Sequence, residues 1–197
     1  MGFSERTDVF AAASNPTMGR IIDYLAMTNA DELDELVTFI ADAINAFYQV
    51  SEAEVFYMEP LREWKAWRRS KGLDAEGVVW RLLKQLPGRR AAGARWGDHV
   101  CSKFESIAVR QLPAQPYFSA KEGTRIVLES HMDDFHGVGR RSEIEPFLEQ
   151  MRNLFKLKAS DLILGGEYSH LKRIRWKFFT LRDSPPAHEG AGLLFCC

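Results

Sequence analysis

Two strand-like stretches, Thr124 to Ser130 and Phe135 to Gly139, are separated only by His131-Met132-Asp133-Asp134. So short a connection demands an antiparallel hairpin, and it sets two adjacent carboxylates at the tip. Neighbouring aspartates repel when both ionise, and the relief is either a raised pKa or a divalent cation held among oxygen ligands. Aspartate also suits turns for backbone reasons alone, so the pair becomes chemically pointed only if a third carboxylate joins it. Asp42, which follows the apolar run Leu36-Val37-Thr38-Phe39-Ile40-Ala41, is the candidate.

The run over 36–43 is continuous and too short for a globular helix, which predicts a buried strand. Before it, Met18, Ile21, Ile22 and Leu25 recur at helical spacing over 17–26. After it, Ile44 to Tyr48 reads as a helical turn, followed by Val55 to Met58, a basic insert and a strand at 78–83. Trp96, Val100, Phe104 and Ile107 mark a helix over 91–108. Strands near 117–120 and 124–130 lead into the aspartate turn and its return strand. Ser142-Glu143-Ile144-Glu145 has the form of a capping box, opening a helix with the stripe Ile144, Phe147, Leu148, Met151, Leu154 and Phe155. A last strand is expected over 161–167. The order strand, helix, two strands, helix, strand is that of a ferredoxin-like split βαβ antiparallel sheet, an α+β fold. In this order the first and third of those strands lie side by side, which carries Asp42 to Asp133 and Asp134 across about ninety residues of sequence.

With 197 residues and 46% hydrophobic content, one core and one domain are expected. No apolar run suits a membrane span or a signal core, so a cytoplasmic or nuclear setting with no membrane partner is expected. Three cysteines, Cys101, Cys196 and Cys197, do not make a disulfide scaffold; neither a prenylated end nor a zinc site with His188 has a supporting ligand set or motif. His131 and His136 are expected to point away from the carboxylates. The net charge of −1 conceals a division: residues 1–61 hold two basic and eleven acidic side chains, and 62–110 hold twelve basic and five acidic. In the basic part Trp64, Trp67, Trp80 and Trp96 interleave with arginines and lysines, among them Arg89, Arg90 and Arg95, a pattern that offers both phosphate contacts and stacking surfaces. A solvated basic face over core tryptophans gives the same pattern.

These blocks together resemble a known family. Asp42-Ala43-Ile44-Asn45-Ala46-Phe47 followed by Val55-Phe56-Tyr57-Met58-Glu59-Pro60 is similar to the D-V-x-x-A-F and V-Y-M-x-x-P blocks of copia-type retrotransposon reverse transcriptases. Trp80 to Trp96 resembles the family's L-x-K-A-L-Y-G-L-K-Q-A-P-R-A-W block, His131-Met132-Asp133-Asp134 stands where it has Y-V-D-D, and Phe155-Lys156-Leu157-Lys158 and Leu164-Gly165-Gly166-Glu167 resemble its F-x-M-K and F-L-G-I-E segments. The resemblance covers 8–170 and leaves 171–197 as an unmatched tail. It implies a reverse-transcriptase palm with partial fingers and RNA-directed DNA polymerase activity by two-metal nucleotidyl transfer. The catalytic residues and ligands of Mg²⁺ (or Mn²⁺) would be Asp42, Asp133 and Asp134, with the Ala43 carbonyl as a further ligand. Phe47, Arg20 and Lys84 would contact the dNTP, and Arg89, Arg90, Arg95, Leu164 and Gly165 the RNA template and DNA primer. Departures from the family occur at Pro87, Ala91, Gly93 and His131. With no thumb, ribonuclease H, protease or integrase region, the chain reads as a truncated part of a retrotransposon polyprotein. The alternative is a catalytically inactive descendant that keeps the fold and binds nucleic acid.

Overall fold

The run that demanded a buried strand forms β1 (Leu36–Ala43), whose Val37, Phe39, Ala41 and Ala43 enter one apolar cluster while Leu36 enters another. The computed structural model describes residues 16–28, 36–163, 166–170 and 173–177. Helix α1 (Pro16–Thr28) precedes β1, and the short α2 (Ala46–Gln49) follows it. Next come β2 (Tyr57–Met58), α3 (Arg62–Ser70) and β3 (Trp80–Arg81), where β2 and β3 form a small antiparallel pair. Then follow α4 (Ala92–Glu105), β4 (Val109–Leu112), β5 (Gln115–Lys121), β6 (Val127–His131), β7 (Asp134–Arg140), α5 (Arg141–Leu154) and β8 (Leu157–Ile163). A second small pair is made by β9 (Gly166–His170) and β10 (Arg173–Lys177).

The main sheet has six antiparallel strands in the order β4-β5-β6-β7-β1-β8. Its part β6-β7-β1-β8, with α4 and α5 as the two crossing helices, has the split βαβ order read from the sequence. Strand β1 pairs with β7 from Leu36↔Arg140 to Asp42↔Asp134 and with β8 on its other edge.

Alternation along β1 decides what each face does. Val37, Phe39, Ala41 and Ala43 face α4 and α5, where they join Trp96, Val100, Phe104, Ile144, Phe147 and Met151 in the main core. Leu36 and Val138 face α1 and join Ile22, Ala26 and Phe118. Each fully buried large aliphatic or aromatic side chain contributes about 1.5–3 kcal/mol. Gly137 and Gly139 on β7 leave room for this packing: a Cβ on Gly137 would lie 2.5 Å from Phe39 Cζ and 2.9 Å from the Val127 carbonyl oxygen.

Several expectations need correction. Ile21 is exposed, and the face of α1 that packs inward carries Gly19, Ile22, Asp23 and Ala26. The basic insert is the helix α3, which buries no residue and is bordered by ion pairs Lys65–Glu59 and Arg69–Glu76. The strand foreseen at 78–83 shrinks to two residues. Ser142 is not the helix cap: Arg140 is the N-cap of α5, and Glu143 accepts a hydrogen bond from the Arg125 amide at 3.0 Å. The strand foreseen at 161–167 is instead β8, starting at Leu157, with β9 opening at Gly166; β8 is an edge strand, where polar residues are tolerated and mask the apolar signal. The segment after 170 contributes β10. Among the described residues no helix is long and apolar enough to cross a membrane.

Candidate functional site

The hairpin of β6 and β7 turns through Met132 and Asp133, with His131 and Asp134 paired at its end. Met132 takes φ 53°, a left-handed conformation uncommon for a side-chain-bearing residue other than Asn or Asp. Two bonds hold it there. The Trp96 indole Nε1–H donates to the Met132 carbonyl at 2.6 Å, and the Ala43 amide donates to the Asp133 carbonyl at 2.7 Å. The first ties the turn to α4 and the main core; the second ties it to the end of β1.

Asp42 and Asp134 are directly opposed across β1 and β7, so their side chains share one face of the sheet. It is the α1 face, since Ala41 and Ala43 point into the helical core. Both aspartates are half-buried, and Asp133 is exposed at the tip. Burial, then the Asp133 and Asp42 carboxylates, hold the Asp134 carboxyl above the usual range, while His131 pulls it down. The sheet thus gathers three carboxylates from positions about ninety residues apart. Among the described residues, no three His, Cys, Asp or Glu side chains stand close enough to grip an ion by themselves.

The other sequence candidates are distributed as follows. His131 does not point away: it pairs with Asp134 across the hairpin and acts on its charge. His136 is fully buried two residues further along the same face, 3.5 Å from the buried Asp23 carboxylate of α1. Arg20 is exposed on α1, the helix lying on the carboxylate face. Phe47 is half-buried and packs against the main core. Lys84 is directed to the α4 and α5 side, its Nζ 3.4 Å from the Gln49 carbonyl and 3.3 Å from Ser51 Oγ. Arg89 is engaged internally, paired with Glu52 and stacked on Phe56 at 4.5 Å. Arg95 pairs with Glu54 at 3.3 Å, and Arg90 is exposed. Leu164 and Gly165 lie outside the described residues, as do Cys196, Cys197 and His188.

Of the four tryptophans in the basic stretch, Trp96 is a core residue, Trp64 and Trp80 pack edge to face at 5.3 Å, and Trp67 is 54% exposed. The tether from Trp96 to Met132 was not foreseen, because its helical stripe reads equally well as core alone. No protein-family model and no curated protein matches the chain.

Proposed function

We propose that this chain is the palm and part of the fingers of a copia-type reverse transcriptase, built for RNA-directed DNA synthesis by two-metal nucleotidyl transfer. The observation that carries the reading is the opposition of Asp42 and Asp134 at the end of a central strand pair, with Asp133 hydrogen-bonded through its backbone to the neighbour of Asp42. The motif order resembling the family supports it, and so does the β6-β7-β1-β8 order.

The donor set fits hard cations. Oxygen is the only donor type in the triad, burial and then the Asp133 and Asp42 carboxylates disfavour the charged form of Asp134 in a way a bound cation would offset, and Mg²⁺ habitually binds through one or two carboxylates while keeping waters and substrate phosphates. Asp42, Asp133, Asp134 and the Ala43 carbonyl would hold Mg²⁺ or Mn²⁺, which when bound activates a primer 3′-hydroxyl and neutralises charge on the leaving pyrophosphate. The chain's own contribution is positional. The register of β1 on β7 aligns two carboxylates, and the Trp96 and Ala43 bonds hold the third at the tip. The RNA template, DNA primer, dNTP and remaining polyprotein segments are the partners this reading requires.

Magnesium-dependent extension of a DNA primer on an RNA template, lost in Asp133→Asn, is the expected result. No extension with either Mg²⁺ or Mn²⁺ would refute catalysis. A second reading, a catalytically inactive descendant that binds nucleic acid, draws on Arg89 being tied to Glu52 and Phe47 being turned to the core. It predicts duplex binding that survives Asp133→Asn and weakens with salt.

A further inference from the structure

The opposite side of the same strand end carries a separate concentration of positive charge. Past Ala43 the chain turns through Ile44 and Asn45 into α2, and the space between this turn, α4 and the end of α5 is a cavity of about 470 Å³. That volume lies within the range of small-molecule sites, roughly 300–1,000 Å³. Lys84, Lys103, Arg152 and Lys156 line it together with His99 and Tyr48, and among the described residues no aspartate or glutamate does. The four cations come from three distant parts of the sequence, so the charge is assembled by the fold and is not one helix's solvated stripe. Arg152 is shared with the Glu149 carboxylate, 3.4 Å away on the outer side of α5.

The wall is firmly built. Gln49 Nε2 donates to the carbonyls of Ile44 at 2.9 Å and Lys156 at 3.1 Å, and Gln49 Oε1 accepts from the Lys156 amide at 2.9 Å. The Ile44 amide also donates to the Lys156 carbonyl at 2.8 Å. Burial first, then Lys103 and Lys84, hold the His99 imidazole below its usual range. Its ring rests near Trp96 and Phe155. Tyr48 is 47% exposed and offers an aromatic face at the rim.

Four cations lining one cavity, of which Arg152 is shared with Glu149, match a ligand with several negative charges in a small volume, which is the chemistry of a polyphosphate chain. An adjoining aromatic adds a surface on which a base stacks. We propose that this cavity binds a nucleoside polyphosphate, with Lys84, Lys103, Arg152 and Lys156 on the phosphates and Tyr48 against the base. Because Asp42 points to the other face of the sheet, such a nucleotide is a second ligand and not the substrate of the carboxylates; the inference does not depend on polymerase activity.

The test is calorimetric titration of the full chain with ATP, tripolyphosphate and adenosine in magnesium-free buffer containing a chelator. ATP should bind, tripolyphosphate should bind more weakly, and adenosine should not register. The double variant Lys103→Gln/Lys156→Gln should lower ATP affinity at least tenfold, whereas Lys71→Gln on the exposed end of α3 and Asp133→Asn should leave it unchanged. In the unmodified protein, ATP should also raise the titration midpoint of the His99 resonance, because the phosphates oppose the field of Lys103 and Lys84; this measurement stands even if the double variant fails to fold. Absence of ATP binding at low salt, binding lost in Asp133→Asn but kept in the double variant, equal binding of adenosine, or an unmoved His99 midpoint would each overturn the proposal.

Discussion

Trp96 joins the core to the chemistry, and replacing it by phenylalanine separates the two roles. The indole is 2% exposed, donates to the Met132 carbonyl at 2.6 Å and meets Phe155 edge to face at 5.9 Å. Phenylalanine keeps most of the ring packing but has no N–H. Loss of the hydrogen bond costs about 1 kcal/mol, and the smaller ring leaves a void worth about another 1 kcal/mol. For a chain of this length the sum of about 2 kcal/mol lowers Tm by roughly 4–8 °C. The informative readout is local. In the parent, the Ala43 amide is protected by the Asp133 carbonyl, so amide exchange at Ala43 reports whether the turn is docked. In Trp96→Phe the Ala43 amide should exchange faster by a larger factor than amides in the middle of β1. Equal acceleration at both places would mean that the substitution only lowers global stability, and that the indole does not tether the aspartate turn.

The carboxylate cluster predicts a pH dependence of stability. Asp134 is held above its ordinary value of 3.8, so between that value and the raised one the folded state retains a proton that the unfolded chain has released. Stability therefore falls as pH rises through that window and stays lower above it. Asp134→Asn should accordingly melt higher than the parent at pH 7 without metal and no higher at pH 3; a lower melting point at pH 7 would contradict the cluster's repulsion. Gly137→Ala should cost at least about 2 kcal/mol, because its Cβ meets Phe39 and the Val127 carbonyl in a strand that cannot yield easily, and a melting curve unchanged from the parent would refute that packing.

What the sequence made legible follows from which signals are local. Leu36 to Ala43 could be read because a strand covered on both faces must be apolar without interruption, and the aspartate hairpin because four residues leave the chain one way to return. The α4 and α5 stripes were visible because Trp96, Val100, Phe104 and Ile144, Phe147, Met151 share one core. By contrast β4, an edge strand whose Arg110, Gln111 and Leu112 are exposed, carries no burial pattern to read. Helix α3 is hidden for a similar reason, since it buries nothing. Ser142 and Glu145 have the letters of a capping box, but Arg140 takes the cap and Glu143 is drawn to Arg125. At the site, pairing order brought Asp42 to Asp134. Side-chain commitments such as Arg89 on Glu52, Lys84 on Gln49 and His131 beside Asp134 depend on tertiary neighbours, which spacing along the chain does not encode.

The double covering of β1 also limits how the gene for this chain can change. Phe39 and Ala41 fill one core while Leu36 fills another, and Asp42 belongs to the second face. A deletion or insertion of one codon within 36–43 exchanges the faces of every residue beyond it, moving Asp42 among Trp96 and Phe155 and bringing a small alanine opposite Asp134. Point substitutions here range from mild to severe, but a change of length is both a packing error and the removal of the carboxylate pair. The loops at 71–79 and 113–114, whose residues are nearly all exposed, tolerate the same edit. Length variation among descendants of this sequence should therefore collect in those loops and spare the eight residues of β1.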